Sequence, residues 1–337
     1  EAKVILGTAT PSLETYWNAN EGNYGIATLN NRFGGLKLPE VFCADIKEEK
    51  RKRKMTGHFT SFLLSKIREA LENGEQIILF QNRRGYAPHC SCEECGWVPQ
   101  CTRCDVSLTY HKYESRLSCH YCGYGVRPPR VCEGCGSHKL SMVGFGTEKI
   151  EEELSSLLSD AKIARMDLDT TRSKNAYKDI LHSFENREID ILVGTQMVTK
   201  GLDFDNVSLV GVLNADQMLN FPDFRAFERS YQLMAQVSGR AGRKKKRGKV
   251  VIQTWNPNHW IVQKVMANDF LGMYRQELLE RKNFNYPPFY RLVLLTVKNK
   301  DKVAAETGAK ALTGLLQKQL QGWVLGPEFP AISKVRN

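Results

Sequence analysis

The sequence predicts an α/β protein built on a parallel sheet, with a cysteine-rich module inserted into it and a small α+β segment at the end of the chain. Three observations predict this. Short β-branched runs alternate with helical patterns of about 10 to 14 residues, the signature of a parallel sheet covered on both faces. Eight of the ten cysteines fall in four C-x-x-C pairs between Cys92 and Cys135, and the alternation resumes after them, so the block interrupts the α/β pattern rather than preceding it. At 337 residues the chain is long enough for two domains and a small third.

In chain order, Val4-Ile5-Leu6 reads as an apolar strand, Gly7 to Ser12 as a loop and Leu13 to about Asn18 as a helix; together they resemble the end of a domain. The hydrophilic stretch Lys47 to Lys54 reads as a separator. Leu63, Leu64, Ile67 and Leu71 share one face of a helix stopped by Gly74, and Ile77 to Phe80 is a buried strand. Beyond the cysteines come a helix near Glu148 to Leu158, a strand Ile163 to Met166, a helix Lys174 to Phe184 and a strand Ile189 to Val193. A strand Val207 to Leu213, a helix Phe224 to Val237 and a strand Lys249 to Thr254 follow. The last segment opens at Tyr286-Pro287-Pro288-Phe289 and pairs a strand Arg291 to Val297 with a helix from about Val303 to Leu320.

With 42% hydrophobic and 25% charged residues the composition excludes a collagenous or wholly disordered chain. No apolar run reaches the roughly 18 residues of a membrane-spanning helix, so no membrane partner is expected. The 48 Lys and Arg against 37 Asp and Glu give a net charge of +11, which points to an anionic partner, nucleic acid first. Starting at Glu1 without Met and stopping at Asn337, the chain is expected to be a fragment, one whose N-terminal portion could carry a targeting signal.

The cysteine spacing is Cys92-x2-Cys95-x5-Cys101-x2-Cys104-x14-Cys119-x2-Cys122-x9-Cys132-x2-Cys135. Two thiolates three residues apart present both sulfurs to one ion, and two such knuckles close a tetrahedral zinc site with no open position. Gly96, Gly123 and Gly136 follow three of the pairs, where a left-handed residue lets the turn reverse. Free or disulfide-bonded cysteines, and iron–sulfur ligation, are the competing readings. The short link between Cys95 and Cys101 leaves those knuckles little room to face each other, whereas Val106 to Ser118 reads as a hairpin. The expected pairing is therefore nested: an outer zinc on Cys92, Cys95, Cys132 and Cys135, an inner zinc on Cys101, Cys104, Cys119 and Cys122. Cys90 is a spare thiol and Cys43 a small core residue. With eight thiolates available, His89, His111, His120 and His138 are left out of the ligand set.

The second motif, Gln236-Val237-Ser238-Gly239-Arg240-Ala241-Gly242-Arg243, follows a predicted helix. Two arginines three residues apart among glycines suit planar donor forks aimed at phosphoryl oxygens; a plain basic loop is the alternative. About forty residues upstream, Ile191-Leu192-Val193-Gly194-Thr195-Gln196-Met197-Val198-Thr199-Lys200-Gly201-Leu202-Asp203-Phe204 reads as a buried strand opening into a polar loop, where open α/β sheets bind ligands.

These two motifs, with Gly7-Thr8-Ala9-Thr10-Pro11-Ser12 before them, resemble motifs V, VI and III of superfamily 2 helicases. Asn82-Arg83-Arg84-Gly85-Tyr86 ahead of the knuckles, Gly144-Phe145-Gly146-Thr147-Glu148 after them and Pro222-Asp223-Phe224-Arg225 narrow the resemblance. Together they are similar to the C-terminal part of the primosomal N-prime family of bacterial replication-restart helicases. The resemblance implies a RecA-like lobe and four divisions. Residues 1–40 end the first helicase lobe, 41–88 with 138–256 form the second, 89–137 are the zinc insertion, and 257–337 are a truncated C-terminal domain. It implies that Arg240 and Arg243 act catalytically on the ATP γ-phosphate, and that Gly201, Asp203, Gln236 and Gly239 border the nucleotide. Thr195 and Gln196 meet a DNA strand, and Thr8 and Thr10 couple hydrolysis to strand movement.

The implied activity is that of an ATP-dependent 3′ to 5′ DNA helicase that binds branched DNA at stalled forks and initiates primosome assembly. ATP and Mg are cofactors of the longer protein, alongside two zinc ions. Implied partners are forked and single-stranded DNA, single-stranded-DNA-binding protein and primosome proteins; the implied location is cytoplasmic and nucleoid-associated. No G-x-x-x-x-G-K-[ST] loop occurs, Gly248-Lys249 is followed by Val250, and no Asp-Glu dipeptide is present, so this chain alone is expected not to hydrolyse ATP. A second reading takes it as a non-catalytic zinc-bearing scaffold for nucleic acid or protein.

Weaker features are the basic runs Lys50 to Lys54 and Arg243 to Arg247, read as a solvated loop and as a loop beside phosphate. Trp97, Tyr110, Tyr113, Tyr121 and Tyr124 among the knuckles are expected to pack a small core, with base stacking as the alternative.

Overall fold

The structure, a computed structural model, describes residues 3–29, 37–82, 89–104, 106–111, 116–119, 122–143, 147–167, 170–171, 174–199, 204–242, 247–320 and 322–329. The described residues fall into two compact units, one drawn from 1–85, 145–219 and 225–279, the other from 86–144, 220–224 and 280–337.

In chain order the elements are α1 (Leu13–Asn20), β1 (Glu40–Asp45), α2 (Ile46–Arg51), α3 (Ser61–Glu72), β2 (Gln76–Phe80), β3 (His89–Cys92), β4 (Thr109–His111), β5 (Arg116–Ser118), β6 (Gly125–Val126) and β7 (Leu140–Val143). There follow α4 (Thr147–Leu157), β8 (Ile163–Met166), α5 (Lys174–Glu185), β9 (Ile191–Gly194), β10 (Val207–Val212), α6 (Asp216–Leu219), α7 (Ala226–Ser238), β11 (Lys249–Thr254), α8 (Trp260–Met266), α9 (Phe270–Asn283) and α10 (Lys302–Gln319).

The first unit is a six-stranded parallel sheet in the order β1-β11-β10-β2-β9-β8. Alternate residues of its central strands serve two cores. Ile78, Phe80, Leu192, Val210, Val212, Val250 and Ile252 face one side with Val237 of α7, Ile261 of α8 and Met273 of α9. Ile77, Leu79, Ile191, Val193, Leu209 and Val251 face the other with Leu63 and Ile67 of α3 and Ile150 and Leu154 of α4. Burial on both faces explains why these strands read as continuous apolar runs. Side-chain caps start the helices that flank them: Ser12 Oγ accepts from Thr15 N, Asp45 Oδ1 from Glu48 N and Thr60 Oγ1 from Leu63 N. Gly74, at φ +65°, ends the turn after α3.

Three expectations are corrected. The hydrophilic separator Lys47 to Lys54 is largely helix α2, because Asp45 caps it and an Asp–Ile–Lys–Glu–Glu start suits the positive end of a helix. Val4 to Leu6 and Arg291 to Val297 form no strand: neither has a ladder partner among the described residues, and Ile5 and Leu294 are 93% and 90% exposed. The C-terminal segment thus keeps its expected helix, α10, without the expected strand. Unanticipated elements are β1, a short edge strand with acidic ends, and the pair α8 and α9. Helix α9 buries Glu277 and Arg281 together with Met273 and Tyr274, so its sequence shows no clear apolar stripe.

In the second unit β3 and β7 pair antiparallel, Cys92 opposite Leu140, and β4, β5 and β6 form a separate antiparallel sheet. The expected hairpin between Val106 and Ser118 is the β4–β5 pair. Tyr110, Tyr124 and Val126 pack with Val106, Leu108 and Leu117 around buried cysteines, a mini-core with few other apolar residues. Tyr113 and Tyr121 lie outside the described residues.

Candidate functional site

Three of the four cysteine knuckles are reversed turns closed by a glycine. Gly96, Gly123 and Gly136 adopt φ +76°, +74° and +75°, and their N–H groups donate to the carbonyls of Cys92, Cys119 and Cys132 at 2.9, 3.0 and 2.9 Å. A side chain at these three positions would strain the turn. The eight sulfurs form two groups, Cys92, Cys95, Cys132 and Cys135 and then Cys101, Cys104, Cys119 and Cys122, with the atoms of each group within 4.8 Å of one another. Sulfur separations of 3.6 Å (Cys92 to Cys135), 3.5 Å (Cys95 to Cys132) and 3.6 Å (Cys101 to Cys122) are near the edge of about 3.8 Å that a tetrahedron with ~2.3 Å zinc–sulfur bonds requires. No cysteine is in a disulfide. The donor set therefore fits structural zinc, four thiolates with no open position. Backbone N–H groups of Gly134 and Arg103 point at the sulfurs of Cys132 and Cys101, at 3.3 and 3.4 Å, and would steady thiolate charge. Cys135 is exposed and the inner group is mostly buried. Cys90 is a buried free thiol beside the inner group, and Cys43 is half-buried on β1 against the sheet core.

The other candidate residues occupy the two opposite edges of the sheet. Thr195 and Gln196 follow β9 at the carboxyl edge. Thr195 N donates to Met166 O at 3.3 Å, and Gln196 Nε2 donates to Asn82 Oδ1 at 3.4 Å. The same edge carries Gln81, whose Nε2 donates to Gln217 Oε1 at 2.8 Å, and buried Asp167, which accepts from the Thr147 hydroxyl and lies 3.4 Å from Arg165 Nε. Gln81, Gln217 and Asp167 were not singled out from the sequence; the available signal was a polar residue directly after a buried strand. The arginine motif lies at the amino edge. Gly242 N donates to Val207 O, the first residue of β10, at 2.9 Å, and Ala241 is buried. A Cβ on Gly248 would come within 2.4 Å of Ala241 C, so the loop needs a glycine there to close onto β11. Six residues of β10 separate the edges by about 17 Å. Gly201, Asp203 and Arg243 lie outside the described residues.

Helix α7 spans this distance and carries a polar ladder to the loop at Thr8 to Ser12. Arg225, just before the helix, pairs with Glu14 Oε1 at 2.8 Å; buried Glu228 Oε1 accepts from Leu13 N at 2.9 Å. Gln232 Nε2 donates to Pro11 O and Gln236 Nε2 to Thr10 Oγ1, both at 3.2 Å. Positions 225, 228, 232 and 236 recur at three and four residues, one face of a helix, against residues 14, 13, 11 and 10 running the opposite way. Thr8 Oγ1 in turn accepts from Thr10 N at 3.1 Å. Gly239 caps α7, and Arg240 N donates to Val237 O, so Arg240 leaves from the helix end to which Thr10 is tied. Glu228 and Gln232 were missed by sequence reasoning, because polar residues at these spacings read as a solvated face of the predicted helix.

Residues 101–127 match the model of the PriA DNA helicase Cys-rich region, and residues 137–245 match that of the helicase conserved C-terminal domain. Replication restart protein PriA of Bacillus subtilis is 43% identical over 99% of this chain and 42% of its own length; that of Synechocystis is 39% identical over 99% and 41%. The chain thus spans about two-fifths of the length of these relatives. Among solved structures, RecG bound to a three-way DNA junction aligns over 90% of this chain and 29% of its own, at 12% identity and a TM-score of 0.46. The thiolate module interrupting a parallel sheet and identities of about two in five along nearly every residue point the same way: over the segment it spans, the chain is similar to the replication restart protein PriA.

Proposed function

We propose that this chain is the second motor lobe and zinc module of an ATP-dependent 3′ to 5′ DNA helicase that binds branched DNA at stalled forks and starts primosome assembly. The observation that carries the reading is the polar ladder on α7, which ties Thr10 to the helix end that releases Arg240. A motor needs such a link between the place where hydrolysis happens and the place where the strand is held.

In this reading the amino edge is the nucleotide edge. Arg240 and Arg243 act on phosphoryl oxygens, and Gly201, Asp203, Gln236 and Gly239 border the nucleotide. Thr195 and Gln196 at the carboxyl edge hold the DNA backbone, with Thr8 and Thr10 as couplers. ATP with Mg supplies the transferable phosphoryl group when bound. Two zinc ions fix the knuckles. Residues 1–40 close the first lobe, 41–88 and 138–256 form the second, 89–137 the zinc insertion and 257–337 part of a further domain. Single-stranded-DNA-binding protein and primosome proteins are the partners, in the cytoplasm at the nucleoid. No helix among the described residues is long and apolar enough to cross a membrane.

The test is the longer protein on forked duplexes, read for DNA-stimulated ATP hydrolysis and for the polarity of unwinding. Fork binding without hydrolysis would favour the scaffold reading and overturn this one.

A further inference from the structure

The segment Asn220–Phe224 belongs to the zinc-bearing unit although it sits in the chain between α6 and α7 of the sheet unit. It is anchored there by a ring. Phe224 stacks on Tyr286 with centroids 4.5 Å apart and planes 13° from parallel, and the Arg281 guanidinium lies over Phe224 at 5.3 Å from its centroid. Arg281 is 1% exposed and donates from Nη1 to Pro287 O at 3.2 Å. Tyr286 Oη donates to the carbonyl of Cys104, a residue of the inner thiolate group, at 3.0 Å. A stack with a desolvated cation over it and a buried hydrogen bond holds its members in register more firmly than apolar burial alone.

The next residue after Phe224 is Arg225, the first rung of the α7 ladder. We infer that Phe224, through Tyr286, is a positioning residue that transmits the state of the inner zinc knuckle into α7 and so to Thr10 and Arg240. Helix α7 has 13 residues, about 20 Å of rod, whose N-cap Arg225 directly follows Phe224 in the chain and whose other end releases the arginine loop. A small displacement of Cys104 on DNA engagement pulls Tyr286 by its hydroxyl and Phe224 by its ring. The helix passes that movement on, because its hydrogen-bonded backbone cannot stretch. This rests on the motor reading above, and it makes the zinc module a sensor whose output is the rate of hydrolysis.

The experiment uses the longer, zinc-loaded protein and three substitutions. Phe224→Leu removes the ring and keeps apolar bulk, Phe224→Tyr keeps the ring, and Tyr286→Phe deletes one oxygen. Each is read for zinc content, ATPase with and without forked DNA, and deuterium uptake of residues 226–242 on adding the fork. Phe224→Leu should keep its zinc and its DNA-free ATPase within about twofold while fork stimulation falls about fivefold or more. The fork-induced change in deuterium uptake across α7 should disappear with it. Phe224→Tyr should restore both readouts, and Tyr286→Phe should lose part of each. Unchanged fork stimulation in Phe224→Leu and Tyr286→Phe overturns the inference, as does a parallel fall in DNA-free ATPase, the mark of a purely structural ring. If Phe224→Leu sheds zinc, Tyr286→Phe decides alone. A wild-type protein whose ATPase ignores DNA overturns the motor reading first, and is distinguishable because no variant is needed to see it.

Discussion

Gln236 Nε2 donates to Thr10 Oγ1 at 3.2 Å, joining the last turn of α7 to a hydroxyl 226 residues earlier in the chain. The rungs of that ladder differ in burial, and burial decides what each is worth. Gln236 is half-buried, so Gln236→Ala should cost about 1 kcal/mol of stability, the usual net value of a neutral hydrogen bond. Glu228 is buried and accepts from both Leu13 N and Gln232 Nε2. Glu228→Ala strands those donors and should cost ~2–3 kcal/mol, while Glu228→Gln, which keeps an acceptor, should cost well under half as much. Urea midpoints of the three variants check the order. A Glu228→Ala midpoint equal to wild type would mean that the loop is not held by this helix.

The sheet was legible in the sequence where burial is symmetrical. Strands β2, β10 and β11 were expected within a residue of where they lie, because both faces are apolar and the run itself marks the strand. The thiolate grouping was legible because ligand spacing is a local constraint. Strand β1 was not, since an edge strand such as Glu40–Asp45 takes its identity from a partner 209 residues away in sequence, Lys249 opposite Glu40. The ladder on α7 was hidden for a related reason. Polar residues at 225, 228, 232 and 236 read as a solvated face until the segment covering them is known, and that segment lies at the other end of the chain. The division of the motifs between two edges of the sheet follows from α7 running against the strands, which the order of elements implies but composition does not.

The two thiolate groups should each hold one zinc ion and release it at different rates. Cys135 is exposed, whereas Cys101, Cys104 and Cys119 are buried, so a chelator reaches the outer group first. Elemental analysis should give two zinc ions per chain, and timed chelation should remove one quickly and one slowly. Cys135→Ser should abolish the fast phase and Cys104→Ser the slow one. A single phase shared by both ions, or iron in place of zinc, would count against two independent structural sites.

Two half-buried groups oppose each other in their pH dependence. Burial pushes the Asp216 carboxyl up from 3.8 to about 6, against donors from Trp255 N and the Thr254 hydroxyl. Burial holds His259 down from 6.5 to about 4, and its Nδ1 accepts from Ile261 N as the cap of α8. The folded state binds the Asp216 proton more tightly than the unfolded chain, so that contribution to stability falls as pH rises from about 4 to about 6. It binds the His259 proton less tightly, so that contribution rises between about pH 4 and pH 6.5. Each is worth about 3 kcal/mol at ~1.4 kcal/mol per pH unit, and together they nearly cancel. Asp216→Asn should therefore leave a stability that climbs with pH across this window. His259→Asn, which keeps a capping side chain, should leave one that declines. Urea titrations near the two ends of the window check this, and slopes unchanged in both variants would show that neither group titrates as its burial requires.

The chain alone should not hydrolyse ATP, since it has no G-x-x-x-x-G-K-[ST] loop to hold the β- and γ-phosphates. Its affinity for single-stranded DNA should be weak and fall steeply with salt, as phosphate contacts without base readout do. DNA-stimulated turnover by this segment, or an affinity indifferent to salt, would contradict the division of labour proposed for the two lobes.

Arg243 is the sharpest test of the motor reading, with Arg240 as its neighbour. The loop that carries them is fixed at both ends of its described part: Gly239 caps α7, and Gly242 N is bonded to Val207 O at 2.9 Å. On the motor reading proposed above, the guanidinium groups of Arg240 and Arg243 act on the phosphoryl group being transferred. An arginine acting on that transition state contributes about 10³ to 10⁵ in turnover, or roughly 4 to 7 kcal/mol of barrier. One that only touches DNA, or only steadies the loop, contributes far less. In the longer protein Arg243→Ala should abolish ATP hydrolysis and unwinding while zinc content and fork binding stay near wild type. Arg243→Lys should rescue little, because an ammonium cannot reproduce a planar fork of donors. If Arg243→Ala retains more than about a tenth of wild-type hydrolysis, the loss is under roughly 1.4 kcal/mol of barrier, too small for a group that meets the developing charge.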